Sequence, residues 1–317
     1  MKPAPFDYAA PETIEETLAL LGEYGADAKL LAGGQSLMPL LNMRLARPSV
    51  LIDLNRVSAL DYVKVSDGEV RIGALTRQRA AERSPVVAKH LPLMTDALRW
   101  VGHAQIRNRG TIGGSLAHAD PSAELPAVAA ALGATFVVAG QGGMRLLLPE
   151  EFFVGYLTTA IAPAEVLTEI RFPKMAAAAG CAFVEVARRH GDFAIVGAAA
   201  VVHPAGPGGP AGAGAGAGRF RDVRLVFTGV GPTPVRIREA EAALEGQKFE
   251  ERLLADVARL VAGRLDPESD IQASAEYRKH VAGVLARRAL LAAALRAGPQ
   301  QAGGHSTGGF PKGGRPT

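Results

Sequence analysis

Two short glycine-rich runs, Ala32-Gly33-Gly34-Gln35-Ser36 and Thr111-Ile112-Gly113-Gly114-Ser115, have the residue types needed to bind a phosphorylated ligand. Glycine lets the main chain approach a diphosphate with no Cβ in the way, its N–H groups can point inward as donors, and Ser or Thr hydroxyls add contacts. Converging N–H groups make a separate cation unnecessary, and a helix opening at the turn adds about half a positive charge. Either pair alone is an ordinary tight turn. Two of them, each following apolar sequence in adjacent units, strengthen the reading of each as an anion cradle.

Other chemistries find no support. There is no G-x-x-x-x-G-K-[ST] and no G-x-G-x-x-G between a strand and a helix, so a P-loop ATPase and a Rossmann dehydrogenase are both excluded. The seven histidines form no H-E-x-x-H, and no G-x-S-x-G elbow is present. His118-Ala119-Asp120 reads as a loop histidine near a cofactor or solvent rather than a metal site. Asp120 and Glu124 sit where a helix opens, a place that favours carboxylates whatever else they do. The single cysteine, Cys181, excludes an internal disulfide, a Cys-rich zinc site and any Cys-ligated iron–sulfur cluster held by this chain alone.

The elements that must position these residues follow from composition and periodicity. With 317 residues, 48% hydrophobic and only 5% aromatic, the chain builds its core from Ala, Val, Leu and Ile, in two or three units of α+β or α/β type. The net charge of +4 comes with no basic block, so a nucleic-acid platform is not indicated. No apolar run reaches membrane-spanning length, and Met1 to Ala10 lacks the pattern of a signal peptide. The expectation is a cytoplasmic protein, with peripheral membrane contact left open.

Pro11 and Glu12 open a helix through Ile14, Leu18 and Leu21 that Gly25 ends; strands at 29–32 and 50–54 flank a brief helix or turn at 35–45. This first unit spans 1–56. In the second, 57–175, strands at 62–65 and 69–72 pair around Asp67-Gly68. Helices follow at 77–81 and 91–101, then the run from Gly110 to Ser115, too irregular for helix or strand. An Ala-rich helix to Leu132 and strands at 135–139 and 166–172 complete that unit. In the third, 176–297, strands at 181–187, 193–203 and 223–228 pair antiparallel. Two amphipathic helices close it, one through Leu253, Val257, Leu260 and Val261, the other through Tyr277, Val281, Val284, Leu285 and Leu291. The Pro/Gly/Ala stretch 204–218 is expected to be a flexible loop and 298–317 a disordered tail.

As a set, these residues resemble the FAD-binding medium subunits of molybdenum hydroxylases, most closely those of the carbon monoxide dehydrogenase type. The likeness is carried by Ala32-Gly33-Gly34-Gln35-Ser36-Leu37, by the long run Gln105 to Pro121, by Arg188-Arg189-His190-Gly191-Asp192-Phe193-Ala194, and by Ala273-Ser274-Ala275-Glu276-Tyr277-Arg278. It covers about Pro5 to Ala297; the match T-I-G-G-S-x-A-H-x-D-P is highly specific. The resemblance implies an α+β protein with a vanillyl-alcohol-oxidase-type (PCMH-type) FAD-binding fold and a C-terminal domain of a small antiparallel sheet plus helices. FAD would lie between the first two units.

The resemblance further implies that Leu30, Leu31, Ala32, Gly33, Gly34, Gln35, Ser36 and Leu37 hold the diphosphate. Thr111, Ile112, Gly113, Gly114 and Ser115 would continue that cradle. Asp120 joins the cofactor-binding set, Glu124 matches an acidic residue at the flavin end and Leu167 a strand residue beside the ring. Val101 stands where xanthine dehydrogenases place an aromatic over the flavin, and the loop with Asp192 and Phe193 is the substitute screen. The partners implied are a small subunit with two [2Fe–2S] clusters and a large molybdenum-cofactor subunit, in a dimer of heterotrimers. No catalytic residue and no metal ligand is assigned to this chain. A free-standing flavin oxidoreductase and a non-catalytic nucleotide-binding scaffold are the alternatives, and the substrate is not legible.

Overall fold

The computed structural model describes residues 2–205 and 219–298. β1 (Asp7–Ala9) precedes α1 (Ile14–Tyr24). The helix starts later than Pro11 because the Thr13 side chain accepts from the Glu16 N–H at 3.1 Å, and Gly25, with φ 52°, ends it. β2 (Ala28–Leu31), α2 (Leu37–Asn42) and β3 (Val50–Asp53) follow. The strands form a parallel sheet in the order β1-β3-β2, of which β1 is too short to stand out in the sequence. In register, Leu31 pairs with Asp53, so the carboxyl ends of two parallel strands open on the same side.

β4 (Val63–Ser66) and β5 (Glu69–Gly73) form the expected hairpin, with φ of 51° at Asp67 and 82° at Gly68, the left-handed pair that a two-residue turn requires. A run of short helices comes next: α3 (Gln78–Arg83), α4 (Pro85–His90), α5 (Pro92–Leu98), α6 (Ala104–Arg109), α7 (Ile112–His118) and α8 (Glu124–Leu132). β6 (Thr135–Gly140), β7 (Gly143–Leu147), α9 (Pro149–Phe152), the small hairpin β8 (Phe153–Gly155) and β9 (Thr158–Thr159), and β10 (Val166–Pro173) complete an antiparallel sheet in the order β4-β5-β10-β6-β7. The run from Gly110 to Ser115 is not irregular: residues 112–115 are the opening of α7. Thr111 accepts from the Gly114 N–H at 2.9 Å, and that cap offsets the poor helix propensity of two glycines.

The C-terminal sheet is antiparallel, β11 (Gly180–Val186), β12 (Val196–Ala205), β13 (Arg219–Thr228) and β14 (Val235–Arg236) in that order. α10 (Arg238–Leu244), α11 (Glu251–Arg264) and α12 (Ala275–Arg296) follow it. Pro204 and Ala205, expected in the loop, extend β12 opposite Phe220 and Arg219; the rest of that stretch and the tail lie outside the described residues. Val281, Leu285 and Leu290 are buried on α12, whereas Tyr277 and Leu291 are exposed: the buried stripe is made mostly of alanines, which the larger residues do not mark.

The sheets are joined by shared cores. Leu21, Val50 and Ile52 pack with Ala139 and Val166 at the ends of β6 and β10. Leu93, Leu98 and Val128 pack with Cys181, Phe183 and Val226 of the C-terminal sheet. At the centre Phe136 stacks on Phe152 at 3.8 Å, with Phe153 edge-on to both. Burial pushes the Cys181 thiol up to about 12, so it stays a neutral core residue. Phe136→Ala should cost about 3–5 kcal/mol and visibly lower the thermal midpoint, whereas Phe193→Ala, at a half-exposed site, should shift it by less than about 0.5 kcal/mol; differential scanning calorimetry on both checks this.

Candidate functional site

The first glycine run leaves the end of β2 and turns into α2. Gly34 has φ 73°, a left-handed conformation that few side chains tolerate. Among the described residues, no protein acceptor takes the N–H groups of Gly33, Gly34, Gln35 or Ser36. Four consecutive unpaired donors are uncommon, because main-chain polar groups are nearly always satisfied. Three of the four residues, Gly33, Gly34 and Gln35, line a cavity of about 530 Å³ together with Leu31 and Ala32. Met38, Pro39 and Asn42 of α2, Asp53 at the end of β3, Asn55 just after it, and Arg109 complete the wall.

The second run touches the first through backbone. A Cβ on Gly33 would lie 2.4 Å from the Arg109 carbonyl oxygen and 2.8 Å from the Gly110 Cα; one on Gly114 would lie 3.5 Å from the Ala32 Cβ. Four of the five N–H groups of this run, those of Ile112 to Ser115, are spent within the protein. Those of Ile112 and Gly113 donate to the carbonyls of Thr76 and Ala74, each at 2.9 Å; that of Gly114 goes to the Thr111 hydroxyl and that of Ser115 to the Thr111 carbonyl. The expectation that both runs are donor cradles is therefore corrected for the main-chain N–H groups of Ile112 to Ser115. Their glycines serve close packing, since a Cβ on Gly113 would lie 2.5 Å from that of Ala74.

A chain of hydrogen bonds fixes the cavity wall. The Tyr8 hydroxyl donates to Asp53 at 2.7 Å, and the Asn55 N–H donates to the same carboxylate at 2.9 Å. The Asn55 amide donates to the Ala32 carbonyl at 3.0 Å, while Arg77 donates to the Asn55 side-chain oxygen at 2.6 Å and to the Arg109 carbonyl. Burial pushes the Asp53 carboxyl up, but the bonds from Asn55 and Tyr8 and the charge of Arg109 outweigh it and hold the group below the usual range. Arg77 is drawn below its ordinary value by burial and then by the charge of Arg109. The Asp53 carboxylate partly offsets the charges of Arg77 and Arg109 at this wall, while the N–H groups of the first run keep no protein acceptor.

The remaining expected residues lie away from this cavity. Leu167 is buried on β10 opposite Val138, and the next carbonyl, of Thr168, accepts from the Ala74 N–H, which ties β10 to the start of α7. Val101 is a core residue whose carbonyl accepts from the buried Arg107. The aromatic ring is one residue earlier: Trp100 stacks on His190 at 5.8 Å, and His190 on His103 at 6.5 Å, so the Arg188–Phe193 loop rests on the segment from Trp100 to His103. Asp120 is half-buried. Burial holds Glu124 up at about 7 and Glu185 of β11 at about 8, the latter raised further by Glu124.

Sequence reasoning missed Asp53, Asn55 and Arg109. The signals were present: an acid at the carboxyl end of the second strand of a β-α-β unit, where ligands bind in open parallel sheets, and a cation just before a glycine run.

Comparison with known proteins accords with this geometry. Residues 4–175 match the family described as FAD binding domain in molybdopterin dehydrogenase, and residues 181–293 the CO dehydrogenase flavoprotein C-terminal domain. The chain is 41% identical to the 6-hydroxypseudooxynicotine dehydrogenase complex subunit alpha of Paenarthrobacter nicotinovorans, over 92% of this chain and 96% of that protein. It is 36% identical to the carbon monoxide dehydrogenase medium chain of Hydrogenophaga pseudoflava, over 92% and 98%. A solved carbon monoxide dehydrogenase from Hydrogenophaga pseudoflava, lacking the Mo-pyranopterin moiety of its cofactor, superimposes with a TM-score of 0.88 at 38% identity, covering 94% of this chain and 100% of that one.

The opening of α7 can be checked without ligand. Thr111→Val removes the acceptor for Gly114 and should cost about 1 kcal/mol in a thermal melt, while Thr111→Ser should recover most of it.

Proposed function

The chain belongs to the family of FAD-binding medium subunits of carbon monoxide dehydrogenase-like molybdenum hydroxylases, and on that premise we propose that it is the flavin station of a heteromeric oxidoreductase. In this reading it works with a small subunit carrying two [2Fe–2S] clusters and a large molybdenum-cofactor subunit, in a cytoplasmic dimer of heterotrimers. With a single cysteine the chain cannot ligate those clusters itself. When bound, FAD supplies a two-electron store between one-electron donors in the partner and an external acceptor.

One observation carries the site assignment: Gly33, Gly34 and Gln35, each with an unpaired main-chain N–H, line one cavity with Arg109, a donor set that fits a diphosphate. Gly33, Gly34, Gln35 and Ser36 hold the diphosphate through the main chain, and Leu30, Leu31 and Leu37 shape the strand and helix ends around it. Asp53, an ionised acceptor at the same wall, suits ribose hydroxyls. Thr111 to Ser115 support the cradle from behind, Gly114 packing against Ala32. Asp120, Glu124, Leu167 and the Val101 segment belong to the flavin side, where the unit from 176 to 297 covers the first two, 1–56 and 57–175. No helix among the described residues is long and apolar enough to cross a membrane. Substrate choice falls to the large subunit, in keeping with relatives named for substrates as unlike as 6-hydroxypseudooxynicotine and carbon monoxide.

Two measurements test this reading. Gly34→Val places a branched side chain at φ 73°, within 3.2 Å of Leu31 and Met38, and should lose most of its flavin absorbance on gel filtration; Arg109→Met should weaken FAD roughly tenfold or more. Full retention in both would reject the site. For the role, the isolated chain and the reconstituted complex are compared anaerobically after adding hydroxylase substrate. Only the complex should bleach its flavin, and equal bleaching by the isolated chain would make it a free-standing oxidoreductase.

A further inference from the structure

The seam between α8 and the C-terminal sheet buries two carboxyl groups without a counter-ion. Glu185 on β11 is in register with Gly197 of β12, and Gly197 with Thr228 of β13. The Thr228 hydroxyl lies within hydrogen-bond distance of the carbonyls of Pro121 (2.6 Å) and Ala123 (2.8 Å), immediately before Glu124 in the first turn of α8. A Cβ at Gly197 would come within 2.7 Å of the Thr228 methyl and 3.5 Å of the Glu185 Cβ, so the absent side chain is what allows this row to close on α8.

Glu124 is 4% exposed and Glu185 8%. Both carboxyl oxygens of Glu185 are buried with no hydrogen-bond partner among the described residues. The neighbouring charges make this worse. Glu124 acts on Glu185, Asp120 acts on Glu124, and burial disfavours the charged form of His118. The guanidinium of Arg278, from α12, is committed to the carbonyls of Ile195 and Gly229 and to Asp270; that of Arg224 reaches the Ala131 carbonyl. Two such carboxyls cannot both ionise at low cost, and a bound proton resolves the conflict.

We propose that Glu124 and Glu185 share one proton while the flavin is oxidised and take up a second from water when it is reduced. The proposal rests on the flavin reading above. Its placement comes from α7, whose seven residues run from the glycine run beside the cavity to His118, about 10 Å at about 1.5 Å per residue, with α8 and Glu124 just beyond. Two electrons from the partner's clusters and one proton from water leave one negative charge on the flavin. The pair then binds one further proton, so two protons enter for two electrons, and no bond forms between flavin and carboxyl.

The test uses the FAD-loaded chain. At neutral pH its infrared spectrum should contain the carbonyl stretch of a protonated, buried carboxylic acid; the band should weaken in Glu185→Gln, where Glu124 alone remains, and should gain intensity in the wild-type reduced-minus-oxidised difference, which needs no variant. Between neutrality and about pH 8 the wild-type flavin midpoint potential should fall with pH twice as steeply as that of Glu185→Gln. Absence of the band, or a band indifferent to the variant and to reduction, overturns the shared proton. Equal slopes overturn the link to the flavin. A chain that takes up no FAD, seen as missing flavin absorbance, fails the cofactor reading and the flavin link with it, while the band in the unloaded chain still decides the shared proton.

Discussion

The backbone approach of Gly33 to Arg109 and Gly110 is the constraint on which the cavity depends. It places a turn from the parallel sheet against the entry to α7, two segments far apart in sequence, at a distance where no side chain fits. Once they meet, Arg109 lines the same cavity as Gly33, Gly34 and Gln35, and Arg77 can bridge Asn55 to the Arg109 carbonyl. Lose that contact and the wall has no shared hydrogen-bond chain.

The two glycine runs divide the work instead of duplicating it. The first keeps its donors free and adopts a left-handed conformation at Gly34, which costs stability unless a ligand satisfies it. The second spends the N–H groups of Ile112 to Ser115 inside the protein, is capped by Thr111 and packed on Ala74, and so backs the first run through Ala32. A binding site benefits from this asymmetry, because unpaired donors are only as well oriented as the backbone behind them.

The C-terminal sheet is more than a cover. It shares a hydrophobic core with α5 and α8, it bonds to the turn before α8 through Thr228 and Gly229, and it brings Glu185 to the buried end of Glu124. Its charge burden sits at this seam, where a carboxyl is held in its neutral form well above the ordinary range. The seam's contribution to stability is therefore full below the ordinary carboxylate range and is lost progressively as pH rises from there through about 8, the reverse of a salt-bridged carboxylate.

How much was legible in the sequence varies by element. Periodicity and turn chemistry settled α1, the Asp67-Gly68 hairpin, the three long strands of the C-terminal sheet and α11, because each is stabilised by contacts within a few residues or by one continuous apolar face. The glycine runs, read with their neighbours, pointed to a phosphorylated cofactor and to its family. What tertiary structure alone decided is which glycines donate and which merely pack, that Asp53, Asn55 and Arg109 line the cavity, that Val101 is core while Trp100 carries the exposed stack, and that Glu185 meets Glu124. These depend on pairings across tens of residues, Leu31 with Asp53, Gly33 with Arg109, and Glu185 through Gly197 and Thr228 to α8. A local pattern carries no information about which distant backbone will occupy the space where a Cβ would be.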